Sequence, residues 1–199
     1  MAKKLESTLK NMILSLFFIS MGMAAALGFV YSLTKEPIEK AKKDVETGAI
    51  KQVVPDFDNA PVAKVIDGIT YYEVTKGGAP IGCAVKTFTD KAFSGRFDLM
   101  VGFLPDGTIN KIAVLDQKET PGLGTKMMEP KFKDQFNKKN PGSWKMTVKK
   151  DGGVVDAISA ATITSRAFCD AVQRGFDGYM KNFGKASIAT PADTTKKGE

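Results

Sequence analysis

The feature that most constrains the fold of this chain is an apolar run near its start. Residues 12–33 read MILSLFFISMGMAAALGFVYSL and contain no charged residue. An α-helix of this length measures about 33 Å, at roughly 1.5 Å per residue, and the hydrocarbon core of a bilayer is about 30 Å thick. We therefore predict one transmembrane helix over residues 12–33, preceded by a cytoplasmic tail over residues 1–11.

A cleaved signal peptide is the alternative interpretation of this run, because the alanines at 24–26 fit a small-residue cleavage site. The run continues to residue 33, which is longer than a signal peptide requires and favours an uncleaved anchor. Orientation is best predicted from the short tail, since long domains translocate largely regardless of charge. Lysines at positions 3, 4 and 10 place that tail in the cytoplasm. We therefore expect a single-pass protein of the inner (plasma) membrane, with its domain on the periplasmic or outer side.

The positive charge of the chain is concentrated in one stretch. The formal net charge is +7 over 199 residues, and residues 126–150 hold eight lysines against Glu129 and Asp134. Aromatic residues are not interleaved there as they are on nucleic-acid-binding surfaces. We expect a solvated face or a docking face for an acidic partner, and no nucleic acid.

Composition also limits the chemistry. The chain has no histidine, which removes histidine-based acid–base catalysis, metal ligation and nucleophile activation. Cys83 and Cys169 are its two cysteines, too few for a metal site without further ligands. They are predicted to be buried apolar residues, with a disulfide left open. We predict no catalytic residue and no metal site.

The remaining sequence predicts one α+β domain with antiparallel strands and flanking helices. A connecting helix is expected over 37–54, within a connecting segment 34–60, and a long amphipathic helix over 163–183. Turn residues and β-rich runs predict two hairpins. Their strands cover residues 70–75, 80–88, 97–104 and 109–115. Further expectations are a short helix over 127–136, short strands over 144–148 and 153–155, a domain spanning 61–185, and a disordered tail over 186–199.

The stretch that most suggests a ligand-binding role is DAISAAT, residues 156–162, which leads into the last predicted helix. A helix N-terminus presents unpaired N–H groups and favours a phosphate. Small side chains at Ser159, Ala160 and Ala161 let a ligand approach the backbone. Taken alone, however, this stretch is better explained by Ser159 or Thr162 as an ordinary helix cap.

A second stretch changes that interpretation. Residues 116–126 read DQKETPGLGTK. Together the two stretches resemble the FMN-binding domain shared by the G subunit of the Rnf electron-transport complex and the C subunit of the sodium-pumping NADH:quinone reductase. The resemblance implies that Thr162 carries FMN through a phosphoester bond, with Asp156, Ser159 and Ala161 completing the attachment motif. Ala160 departs from the motif, which usually has glycine there.

The resemblance also implies a flavin-side loop and a set of partners. Its predicted cofactor-binding residues are Glu119, Thr120, Leu123, Gly124 and Lys126. One covalent FMN per chain would be attached by a flavin transferase, and the other membrane subunits of an Rnf-type complex would be partners. The implied function is an electron-carrying flavoprotein subunit of a membrane-bound ion-translocating oxidoreductase of the ferredoxin:NAD type. The alternatives are the C-type subunit of the sodium pump, a stand-alone anchored flavoprotein reductase, and a non-catalytic module that binds flavin or another ligand.

Overall fold

The computed structural model describes residues 8–184. The predicted disordered tail and residues 1–7 of the predicted cytoplasmic tail lie outside the described residues. Residues 8–44 belong to one unit and residues 45–184 to a second, compact unit.

The first unit is helical. Helix α1 runs from Leu9 to Val53 without a break. Its most apolar 18-residue window has a mean hydropathy of 2.2 and contains no buried residue. The helix is therefore long and apolar enough to cross a membrane. Pro37 lies inside it, although the sequence predicted separate helices over 12–33 and 37–54. An interior proline removes one hydrogen bond and its ring crowds the carbonyl one turn earlier, at a cost of about 3 kcal/mol, and α1 nevertheless continues through Pro37.

The second unit is built on a five-stranded antiparallel sheet whose strands follow each other in chain order. Its strands are β1 (Ala63–Ile66), β2 (Ile69–Lys76), β3 (Ala79–Thr89), β4 (Phe97–Phe103) and β5 (Ile109–Asp116). The two predicted hairpins and the α+β class are confirmed. Strand β1 was not predicted, although Asp67 and Gly68 form its turn to β2 with φ values of 53° and 76°. Asp-Gly is a strong hairpin signal, so the sequence did contain an indication of this strand.

One face of the sheet packs against helix α3 (Thr162–Asn182). Alternate residues of β4 point toward this helix and are fully buried, as the two-residue period of a strand requires. They are Phe97, Leu99, Val101 and Phe103. The helix contributes Phe168, Val172 and Tyr179 to the same core. This packing fixes the start of α3 relative to the sheet.

The other face packs against the end of α1. Ile50 and Val53 are buried there against Met100 of β4. A Cβ on Gly102 would lie 1.9 Å from the Val53 carbonyl oxygen, so only glycine permits this approach. Asn110 Nδ2 donates a 2.7 Å hydrogen bond to the same oxygen at the helix end. The compact unit thus begins at residue 45, earlier than the predicted residue 61, and the helix ends at Val53 inside the predicted connecting segment.

The segment between β5 and α3 has little regular structure. The predicted helix 127–136 is divided into a 3₁₀ turn (Gly124–Met128), helix α2 (Pro130–Lys133) and a second 3₁₀ turn (Asp134–Phe136). The predicted strands over 144–148 and 153–155 are wrong, because only a single parallel bridge joins Val148 to Val155. A tight turn through Gly152, with φ of 76°, leaves no length for a ladder. Both cysteines are buried and free.

Candidate functional site

The two stretches singled out in the sequence meet at one cavity of about 330 Å³. The loop after β5 contributes Glu119, Thr120, Leu123 and Gly124 to its walls. Residues 160–164, at the start of α3, contribute the facing wall. Phe93, from the loop between β3 and β4, completes the lining. The fold therefore brings three separate chain segments to one site.

A tight turn over residues 158–161 leads directly into α3. The Ala161 N–H donates a 3.0 Å hydrogen bond to the Ile158 carbonyl, and Ala160 has φ of 62°. That left-handed conformation favours glycine and costs an L-residue about 1–2 kcal/mol. The departure from the family motif at position 160 thus falls where the backbone needs positive φ.

Ser165 fixes this turn to the helix. Its buried hydroxyl accepts a hydrogen bond from the Ile158 N–H and donates one to the Ala161 carbonyl, both at 2.9 Å. This role of Ser165 was not predicted, because a serine in the first turn of a helix is common and its sequence context does not indicate its hydrogen-bond partners. The consequence is a rigid path for the backbone on either side of Ala160.

Thr162 and Thr164 differ in what their hydroxyls do. Thr162 is the first residue of α3 and is half-buried, and within residues 8–184 its side chain makes no hydrogen bond. Thr164 is only 1% exposed and donates a 3.0 Å hydrogen bond to Glu119 Oε2. The first N–H groups of a helix have no partner within it and carry partial positive charge. Thr162 therefore combines a hydroxyl without a side-chain partner among the described residues with a helix end that favours an anion.

Glu119 is a wall residue that also bonds to the other two segments of the cavity. It is 5% exposed, and its Oε1 accepts a 3.0 Å hydrogen bond from the Ser94 N–H while Oε2 accepts that of Thr164. A Cβ on Gly124 would lie 2.3 Å from Oε2, so a glycine is required there. The carboxyl group thus links the β3–β4 loop, the loop after β5 and α3. Glu119 was predicted to contact a flavin, and these protein partners were not predicted.

The mouth of the cavity is apolar. Phe93, Leu123 and Ile163 are 68%, 41% and 49% exposed, respectively. Large exposed apolar side chains around a cavity are typical of a binding site. Phe93 and Ile163 were not predicted as site residues, and Phe93 lies in a loop whose sequence gives no motif.

Not every predicted site residue reaches this cavity. Asp156, Ser159 and Lys126 line a separate cavity of about 220 Å³. The exposed Asp156 side chain forms a 2.6 Å ion pair with Lys149, and its backbone N–H donates to Gln135 Oε1 at 2.8 Å. The structure therefore groups Glu119, Thr120, Leu123, Gly124, Ala161 and Thr162 together and places the other three predicted residues elsewhere.

Comparison with known proteins gives this site a family context. A family model described as "FMN-binding domain" matches residues 93–177, a range that includes every residue lining the 330 Å³ cavity. The part of the chain that forms the cavity is thus classed as an FMN-binding domain, as the resemblance implied. Among solved structures, NqrC of Shewanella oneidensis matches with a TM-score of 0.49 and 22% identity, covering 70% of this chain and 71% of that chain.

Comparison with two named relatives identifies the family within this class. The G subunit of the ion-translocating oxidoreductase complex of Pseudoalteromonas atlantica is 32% identical over 86% of this chain and 87% of the relative. The corresponding G subunit of Methanosarcina acetivorans is 31% identical over 84% of this chain and 92% of the relative. The chain belongs to the family of G subunits of ion-translocating oxidoreductase complexes. The resemblance stated from the two motifs is confirmed at this level.

Proposed function

We propose that this chain relays electrons through FMN joined to Thr162 by a phosphoester bond, as the G subunit of a membrane-bound ion-translocating oxidoreductase. The observation that carries the proposal is the Thr162 hydroxyl. It stands at the start of α3, inside the cavity where both motif stretches meet, without a side-chain hydrogen bond among the described residues. Two other threonines line the cavity: Thr164 is buried and bonded to Glu119, and Thr120 is exposed in the loop after β5 and does not stand at the start of a helix.

The residues around Thr162 suit FMN. The N–H groups at the start of α3 offset the negative charge of a phosphodiester. The exposed side chains of Phe93, Leu123 and Ile163 offer apolar contact to a flat ring system. FMN, when bound, supplies the electron-accepting and electron-donating chemistry. The protein then needs no catalytic nucleophile, and Thr162 serves as a tether that keeps the cofactor on the chain.

Membrane attachment and orientation are further parts of the proposal. The exposed apolar stretch of α1 would span the inner membrane, with the N-terminus in the cytoplasm and the FMN-binding domain on the outer side. The short lysine-bearing tail supports this orientation. The partners would be the other membrane subunits of the complex and a flavin transferase that loads the protein.

Orientation is tested by protease treatment of intact spheroplasts and of inverted membrane vesicles, with an antibody against the folded domain. We expect the domain to be digested in spheroplasts and protected in inverted vesicles, while a cytoplasmic marker protein shows the opposite pattern. Digestion only in inverted vesicles would place the domain in the cytoplasm and refute the orientation.

The flavin linkage is tested by peptide mass. Full-length protein produced with a flavin transferase is cleaved with trypsin. Cleavage after Lys150 and after Arg166 releases residues 151–166. We expect this peptide to be heavier by one FMN less one water, with fragment ions placing the adduct on Thr162. Thr162→Ala should abolish in-gel flavin fluorescence, whereas Thr164→Val should keep it. An unmodified peptide, or an adduct on Ser159 or Thr164, would contradict the linkage.

A further inference from the structure

We propose that Glu119 is a positioning residue that sets the shape of the flavin cavity before the cofactor arrives. It does so by holding the three chain segments that form the walls. This inference rests on the proposed function, because it takes the 330 Å³ cavity to be the flavin site.

The hydrogen bonds of Glu119 reach two segments remote in sequence. Its Oε1 receives the Ser94 N–H, next to Phe93 at the cavity mouth, and its Oε2 receives the Thr164 hydroxyl, one helical position beyond Ile163. Both bonds measure 3.0 Å, and the group is 5% exposed.

The loop that carries Glu119 closes around it. The Glu119 N–H donates a 2.7 Å hydrogen bond to Gln117 Oε1, which fixes the backbone before the loop. Gly124 packs against the carboxyl group so closely that a Cβ there would overlap it. Leu123, the neighbour of Gly124, stands at the cavity mouth. The backbone on both sides of Glu119 is thereby packed or bonded against it.

Both carboxyl oxygens already accept hydrogen bonds from protein donors. The main effect of Glu119 on a bound flavin is therefore indirect. It determines where Phe93, Leu123 and Thr162 stand relative to one another. A tethered cofactor needs walls in defined positions, because a single bond to Thr162 leaves the ring free to rotate. The walls then define the orientation of the ring.

Substitutions separate this role from simple stabilisation of the fold. Glu119→Ala removes both hydrogen bonds. Glu119→Gln keeps both, because its carbonyl oxygen can accept from Ser94 and its amide can donate to the Thr164 hydroxyl, which both donates and accepts. Thr164→Val removes one bond with little change in volume. Glu129→Ala, at an exposed glutamate in the same part of the chain, is the matched control.

The first measurement is hydrogen exchange of full-length, flavin-free protein in detergent. For Glu119→Ala we expect exchange about tenfold faster or more around residues 93–95 and 119–124, with strand β4 unchanged. Thr164→Val should accelerate the same amides less, and Glu119→Gln and Glu129→Ala should match the wild type. Equal acceleration in β4 and the loops, or wild-type exchange in Glu119→Ala, would overturn the proposal.

The second measurement is flavin fluorescence anisotropy of protein loaded by the transferase. We expect lower anisotropy for Glu119→Ala than for wild type, and recovery in Glu119→Gln. A Glu119→Gln variant that behaves like Glu119→Ala would overturn a role based on these hydrogen bonds. Failure of the proposed function shows separately, as an unmodified Thr162 peptide, while the exchange experiment on flavin-free protein is unaffected by that outcome.

Discussion

At the scale of single residues, the turn before α3 holds one alanine in an unfavourable conformation that nearby hydrogen bonds maintain. Ala160 has φ of 62°, in the left-handed region, and its neighbours are tied to the buried Ser165. Those two hydrogen bonds hold the backbone in a conformation that the alanine side chain disfavours. The conformation places Ala161 and Thr162 at the cavity.

Ala160→Gly is expected to stabilise the protein by up to about 1 kcal/mol, because the relief of the left-handed conformation exceeds the greater entropy of an unfolded glycine chain. The measurement is the free energy of unfolding in urea. Ala161→Gly is the control, since Ala161 has φ of −134° and should lose stability instead. Equal destabilisation by both changes would show that Ala160 carries no conformational cost.

Asp170 gives a residue-scale prediction with a pH dependence. Partial burial acts to raise its pKa, but hydrogen bonds from Lys91 and Thr89 outweigh that effect and hold the pKa below its usual value. Its contribution to stability is therefore present above the unfolded pKa of about 3.9 and is lost as the pH falls through the lower folded value.

Asp170→Asn should reduce the free energy of unfolding at neutral pH by about 1 kcal/mol or less. The difference from wild type should shrink in acid, below about pH 4, as measured by urea titrations across pH. Asp67→Asn is the control, because the Asp67–Lys181 pair is 72% exposed on both sides and should matter little. A difference that stayed constant to the lowest pH would show that the Asp170 charge is not involved.

At the scale of elements, the contact between the end of α1 and strand β4 depends on one missing methyl group. Gly102 lies where a Cβ would overlap the Val53 carbonyl, and Asn110 bonds to that carbonyl. A second link joins the same helix to the sheet, since Glu46 accepts hydrogen bonds from Tyr72 (2.6 Å) and Lys86 (3.1 Å). The last turns of α1 are therefore a packed layer of the domain.

Gly102→Ala should destabilise the domain by about 1–3 kcal/mol, the usual range for forcing extra volume into a packed contact. Thermal or urea unfolding of the detergent-solubilised protein measures it. Gly48→Ala, also in α1, has nothing within 4 Å of its added Cβ and should be neutral or stabilising by up to about 1 kcal/mol. A Gly102→Ala protein as stable as wild type would mean that the helix end moves away at no cost.

At the scale of the whole molecule, burial of both thiols offers a test of the fold. Burial raises the pKa of Cys83 and of Cys169 to about 12. Because the thiolate is the reactive form, neither should react with iodoacetamide at pH 8 in the native protein. Both should react in guanidinium without a reductant, since both are free. Mass spectrometry counts the added groups, and rapid native labelling of either thiol would contradict the buried positions.

The sequence predicted local patterns well and missed contacts between remote segments. The hairpins follow from alternating residues between turn signals, and α3 follows from its apolar face. The short strands near Gly152 were wrong because a turn takes up their length. The resemblance carried by two motifs grouped six residues that do line one cavity, whereas Asp156, Ser159 and Lys126 line another. The roles of Phe93 and Ser165, and the protein partners of Glu119, depend on tertiary packing that no local pattern records.

The extent of α1 has a practical consequence for work on a membrane-free form of this protein. A fragment that starts at residue 61, where the sequence alone would place the domain boundary, lacks Ile50 and Val53 and exposes Met100 to water. Burial of such side chains contributes about 1.5–3 kcal/mol each, so that fragment should express poorly and aggregate. A soluble fragment should begin ahead of Glu46, so that it retains the helical turns that cover the sheet.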